Sequence, residues 1–241
     1  MIRTLSFRGW KALALSTAQA EIIVPVEIGP RVMSCALRGG PNLFCLVDAE
    51  AGKRGEREWK IRGGHRLWYA PEHPVRTYQL DNAPVAVTKL KGGAGFRLVQ
   101  APEAKTGIQK SVTIETVGPA TFRVTHVLEN QSLWDAELAP WVVTVMAHDS
   151  YTTIPFNPKV PHGEALLPDY VLVPWTYTDF SDKIWQFRRD YLGLDATLAR
   201  EKQKLGITNF PGWVANWQPS GTFVKHWKLT PGATYPDFGS T

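Results

Sequence analysis

Thr121-Phe122-Arg123-Val124-Thr125-His126-Val127-Leu128-Glu129-Asn130 alternates apolar and polar side chains along its length, the period of a β-strand that buries one face. Phe122, Val124, His126, Leu128 and Asn130 share one face, and Arg123, Thr125, Val127 and Glu129 share the other. His126 therefore lies in apolar company, where desolvation favours the neutral imidazole. That placement suits a hydrogen-bonded core histidine, and it equally suits a proton donor or acceptor on the floor of a pocket.

The same signal recurs on both sides. Residues 21–28, 31–38, 42–47, 84–90, 96–100 and 108–116 read as strands before it, and 141–146, 151–155, 170–173, 205–208, 213–217 and 222–227 after it. Only 196–204 has helical character. So many strands, punctuated by 20 glycines and 18 prolines, predict an all-β antiparallel sandwich; an α/β fold needs helices between its strands.

A chain of 241 residues that is 44% hydrophobic is long enough for one substantial core, and a single domain is expected. The net charge of +5 is spread thinly, with no Lys/Arg-rich run to make a nucleic-acid footprint. Cys35 and Cys45 sit in apolar segments and read as buried thiols. Arg3, Arg8 and Lys11 ahead of Ala12-Leu13-Ala14-Leu15 imitate a secretory leader, but Ser16, Thr17 and Gln19 interrupt its apolar centre. No segment approaches the roughly 20 apolar residues of a membrane-spanning helix. A cytoplasmic protein without a membrane partner is the expectation.

Gly63-Gly64-His65-Arg66-Leu67-Trp68-Tyr69-Ala70-Pro71-Glu72-His73 concentrates imidazole, guanidinium, carboxylate and aromatic groups beside a Gly-Gly pair that allows a sharp turn. Aromatic faces stack on sugar C–H surfaces, a guanidinium donates in a planar fork, and carboxylate and imidazole exchange protons near neutrality. Two loops are expected, at residues 48–62, rich in charge, and at 156–168, which carries Pro158, Pro161, His162 and Pro168. Trp134 and Trp141 read either as stacking platforms or as core. Other chemistries lack support. His148 with Asp149 reads as a turn, no histidine or cysteine spacing suggests a metal, and no Gly-x-Ser-x-Gly elbow occurs. Lys91-Gly92-Gly93-Ala94-Gly95 reads as a hairpin turn rather than a phosphate loop. Neither a metal nor a cofactor is expected.

Val24-Pro25-Val26-Glu27-Ile28-Gly29-Pro30-Arg31-Val32, followed by Gly39-Gly40-Pro41-Asn42-Leu43, resembles the start of galactose mutarotase-like domains of the aldose 1-epimerase superfamily. The run from Gly63 to Glu72 resembles an uncharacterised bacterial family within it. So do Glu137-Leu138-Ala139-Pro140-Trp141-Val142-Val143-Thr144-Val145-Met146-Ala147 and Phe223-Val224-Lys225 with Pro231-Gly232-Ala233-Thr234-Tyr235-Pro236-Asp237. The resemblance implies one β-supersandwich over residues 1–241, short of the family's C-terminal strands, with a concave face that holds a sugar. It also implies a histidine and a glutamate that open and reclose the sugar ring as acid and base. His65 or His126 would be the acid. The family's basic glutamate lies near the C-terminal end, whereas this chain ends at Thr241, so Glu72 is the nearest substitute; Glu129 faces away from His126. Arg66, Trp68, Trp141 and Lys225 are the implied substrate-binding residues.

The expected function is carbohydrate binding, with aldose mutarotase or epimerase chemistry. Because that superfamily also holds proteins that only bind, the alternative is a non-catalytic sugar-binding protein. A third reading makes the Gly63–His73 run structural, with Arg66 and Glu72 paired to pin residues 48–62. The expected partner is a small-molecule carbohydrate, and an exposed sheet edge would favour a homodimer.

Overall fold

The computed structural model describes residues 1–230 and 232–240; Pro231, within one of the segments quoted above, and Thr241 lie outside the described residues. The chain forms two compact units, Met1–Met146 and Ala147–Thr241. The first contains β1 (Ile2–Phe7), β2 (Trp10–Ser16), β3 (Ala20–Pro25), β4 (Arg31–Val32), β5 (Ser34–Leu37), β6 (His65–Ala70), β7 (Ala86–Lys89), β8 (Gly95–Val99), β9 (Ile108–Gly118), β10 (Thr121–Asn130) and β11 (Ala139–Thr144). The second contains β12 (Tyr151–Pro155), β13 (Leu172–Pro174), β14 (Trp185–Phe187), β15 (Tyr191–Asp195), β16 (Leu205–Ile207), β17 (Trp213–Gln218) and β18 (Gly221–His226). The chain is all-β. Its sheets are antiparallel, and none closes into a barrel.

In the first unit, β1-β2-β3-β5 form one sheet, β11-β6-β4 a second and β10-β9-β8-β7 a third. Alternation along β10 is as expected: Phe122, Val124, His126 and Leu128 are half-buried while Arg123, Thr125, Val127 and Glu129 are exposed. Asn130 is exposed as well, because it ends the strand and its side chain bonds the Trp134 carbonyl. Register continues the inner face into β9 and β8, where Val112 lies opposite His126 and Leu98 opposite Val112. Phe96, Leu98, Val112 and Ile114 are fully buried there.

Lys110 and Glu103 are buried in the same region and form an ion pair at 2.6 Å. The Glu103 carboxylate also accepts from the Tyr69 and Thr106 hydroxyls at 2.9 and 2.5 Å. The Lys110 ammonium lies 5.1 Å from the centre of the Tyr69 ring. These contacts tie β9 to β6.

In the second unit the strand order is β14-β15-β12-β17-β18, with a separate β13-β16 pair. Its core is Phe156, Ile184, Trp185, Leu192 and Ile207. Phe156 stacks on Tyr170 at 4.7 Å.

Several strands differ from the sequence reading. Residues 2–7 and 10–16, the apparent leader, form a hairpin in register from Phe7 opposite Trp10 to Ile2 opposite Leu15. Residues 42–47 make only two isolated bridges, at Phe44 and Leu46. Residues 196–204 contain a single 3-10 turn at Ala196–Leu198, started by the Asp195 carboxylate accepting from the Thr197 amide. The Lys91–Gly93 turn joins β7 to β8, as expected of a hairpin. Both cysteines are free and half-buried, and burial pushes the Cys35 thiol up to about 11. Among the described residues no helix is long and apolar enough to cross a membrane.

Candidate functional site

The Gly63–His73 run is a strand entered by two glycines. Gly63 and Gly64 have φ of +84° and +71°, and a Cβ on either would meet a carbonyl, that of Cys45 or Val32 respectively. Only glycine fits so tight an approach in the left-handed region. The chain then runs into β6, between β4 and β11, with every residue from His65 to Ala70 buried.

Period two divides that strand between two faces. Arg66, Trp68 and Ala70 point one way; His65, Leu67 and Tyr69 point the other. Register places Arg31 and Val143 beside Arg66, Trp141 beside Trp68, and Thr144 and Val32 beside His65. The residues expected to surround one sugar thus lie on opposite sides of one sheet.

On the first face the Arg66 guanidinium lies 4.3 Å from the centre of the Trp68 ring and 5.0 Å from that of Trp59. Trp59, Tyr78 and Trp141 all pack against Trp68 at 5.1–5.3 Å between ring centres. Arg66 donates to the Ile61 carbonyl at 2.8 Å. Arg31 donates to the same carbonyl and to that of Gly63, both at 3.0 Å, and pairs with Asp81 at 2.6 Å. Burial, followed by the neighbouring Arg31, lowers Arg66 to about 10. This face therefore pins residues 48–62 through Ile61. Trp68 is 8% exposed and its surroundings are those of a core aromatic.

Glu72 is exposed and accepts from the Tyr78 hydroxyl. It lies two residues beyond the far end of β6 from His65, and five strand residues alone span about 17 Å. Glu72 is therefore not part of a His65 acid–base pair. His73 caps the following turn, with its Nδ1 accepting from the Val75 and Arg76 amides at 3.1 and 3.2 Å.

The opposite face joins the two histidines singled out in the sequence. His65 Nε2 and His126 Nε2 lie 2.9 Å apart, and His65 Nδ1 lies 2.8 Å from the Thr144 hydroxyl. The rings are tilted by 48° with centres 5.1 Å apart. His65 is buried at 8% exposure and His126 is half-buried. A hydrogen bond between two imidazole nitrogens holds one proton, so one ring donates and the other accepts. Sequence reasoning did not single out Thr144. Its place within the 141–146 strand was legible, but its pairing with His65 depends on a register between distant segments.

Lys225 lies on β18 in the second unit, opposite Val214 and half-buried, and burial pushes its ammonium down to about 8. Its face of the sheet carries a polar ladder in which Gln218 donates to Asn216 at 2.8 Å and Asn216 to Thr152 at 2.9 Å.

A cavity of about 350 Å³ in the first unit is lined by Arg57, Trp59, Tyr78, Asp81 and Gln100 among others. Another of about 470 Å³ in the second is lined by residues including Asn209, Phe210 and Tyr235. Neither is lined by His65 or His126. Among the described residues no three His, Cys, Asp or Glu side chains cluster as a metal site would need. No known protein family, curated protein or solved structure matches the chain.

Proposed function

We propose that the chain binds a carbohydrate and that the His65–His126 pair is the acid that opens an aldose ring. The observation that carries this reading is the 2.9 Å contact between the two imidazoles, backed by Thr144. The all-β scaffold and the resemblance to galactose mutarotase-like domains support it, and a supersandwich is the finer fold assignment within the same reading. Singly protonated, the pair delivers a proton through His126, the less buried ring, to the sugar ring oxygen. The C1–O5 bond breaks and its electrons go to O5. Water takes the proton of the anomeric hydroxyl, whose electron pair completes the C1 carbonyl. Reclosure on the other face reverses these steps and restores the pair. Arg66, Trp68 and Trp141 hold the loop and the core behind this strand.

A second reading is sugar binding without chemistry, and the position of Glu72, apart from the histidines, favours it. Exchange NMR on a panel of aldoses separates the two. Ring opening predicts faster anomer interconversion that His65→Ala and His126→Ala abolish. Binding seen by saturation transfer, with no acceleration for any aldose and unaffected by either substitution, establishes the second reading. Absence of binding as well as acceleration refutes both.

A further inference from the structure

The cavity of the first unit is lined by a buried side chain that the fold leaves unsatisfied. Gln100 is 7% exposed and belongs to the cavity lining, yet its side-chain amide makes no hydrogen bond among the described residues. Two other lining residues repeat the pattern. Trp59 Nε1 and Asp81 Oδ1 are enclosed without a hydrogen-bond partner, although Asp81 holds Arg31 at 2.6 Å through Oδ2. Native folds leave few buried polar groups in this state. An amide, an N–H donor and a carboxylate oxygen around one cavity are satisfied together by hydroxyl groups, which donate and accept at once. The terminal torsion of Gln100 is soft, so its amide can turn to meet such a ligand.

Charge adds a second selection. Both carboxylates of the lining are already neutralised, Asp81 by Arg31 and Glu103 by Lys110, each at 2.6 Å. The two lining cations, Arg57 and Lys105, are exposed and form no ion pair among the described residues. The cavity therefore carries uncompensated positive charge. At about 350 Å³ it lies at the small end of ligand sites, and Trp59 meets Tyr78 edge to face at 80°, which makes no parallel slot for a flat base. We propose that this cavity binds a small hydroxylated anion, a monosaccharide acid or phosphate. Gln100, Asp81 and Trp59 take its hydroxyl groups, and Arg57 and Lys105 take its charge. Neither His65 nor His126 lines the cavity, so the site is separate from the histidine pair and does not rest on ring opening.

The test is an amide ¹H–¹⁵N correlation titration of the full chain at low salt with glucuronate, glucose 6-phosphate, glucose and inorganic phosphate. At least one of the two sugar anions should shift the amides of residues 79–82 and 100–105, and the two arms separate carboxylate from phosphate. Glucose and inorganic phosphate should each bind at least about tenfold more weakly than that anion. Added salt should weaken anion binding, because exposed cations are screened. Gln100→Leu, verified as folded by its amide spectrum, should weaken the anion about tenfold. Arg57→Gln with Lys105→Gln, both at exposed positions, should lower the anion to the affinity of glucose; this variant decides if Gln100→Leu fails to fold. No shifts from either anion, shifts centred on residues 65 and 126 instead, glucose or inorganic phosphate binding as tightly as the anion, or an affinity untouched by these substitutions overturns the proposal. Anomer exchange is a separate readout, so loss of the ring-opening reading leaves this site standing, and absence of this site leaves ring opening standing.

Discussion

Replacing Glu103 with alanine probes the contact that joins β6 to β9. The Lys110 side chain is 4% exposed and that of Glu103 is 1% exposed, so the ammonium left behind could not reach water without the surrounding strands moving. Removing one partner of such a pair costs about 3–5 kcal/mol, mostly because the remaining charge stays buried. The Tyr69 hydroxyl loses its acceptor as well. At about 2–4 °C per kcal/mol for a chain of this length, the melting temperature should fall by about 6–20 °C. Hydrogen exchange should localise the loss to peptides covering β6 and β9. Exchanging both partners for apolar residues, Glu103→Leu with Lys110→Met, should recover most of the stability, since an apolar pair of similar volume carries no desolvation penalty. Urea titration of the three variants provides the measurement. A Glu103→Ala protein within about 1 kcal/mol of the wild type, or a double variant no more stable than the single, would refute the reasoning.

Two further outcomes are expected. Trp68→Ala should destabilise the first unit by about 3–5 kcal/mol, as removal of a buried aromatic does, whereas Trp134→Ala, at a site 80% exposed, should change stability by no more than about 0.5 kcal/mol; thermal melts that rank them otherwise would remove Trp68 from the core. Lys225 is lowered from its ordinary 10.5 to about 8, so between those values the unfolded chain binds more protons and stability should rise with pH, the gain being lost as pH falls through about 8. Lys225→Met should flatten that window in denaturation curves collected from pH 7 to 11, and a slope unchanged by the substitution would show that the ammonium is solvated.

The fold class was legible because alternation is a local signal. β10 and β12 could be read almost to the residue, and β9 lacked only its last turn of pairing. β14 and β15 were not legible, because Trp185-Gln186-Phe187 is too short to show a period and Gly193 interrupts Tyr191-Leu192-Gly193-Leu194-Asp195. β2 was hidden for a different reason. It is buried at every residue except Lys11, and a strand buried on both faces reads as a continuous apolar run, which is also how a leader peptide reads.

The site was legible only in part, and the residues of β6 show why. His65-Arg66-Leu67-Trp68-Tyr69 has no apolar–polar alternation, since both of its faces are buried, yet the backbone still sends successive side chains to opposite sides. A cluster in sequence is therefore two half-clusters in space. One half, Arg66 with Trp68, is completed by Trp59, Tyr78 and Trp141, and it resembles the structural alternative in pinning residues 48–62, but through the Ile61 carbonyl. The other half, His65, is completed by His126 and Thr144 from strands about 60 and 80 residues away, a register no local pattern encodes. What distinguishes the halves chemically is proton capacity. A guanidinium lowered only to about 10 keeps its charge at neutral pH and can orient but not exchange, whereas imidazole is the side chain whose ordinary chemistry suits proton exchange near neutrality. Any acid–base chemistry of the first unit's central strand thus belongs to the His65 face, and substitutions on the Arg66 face should act on it only through stability.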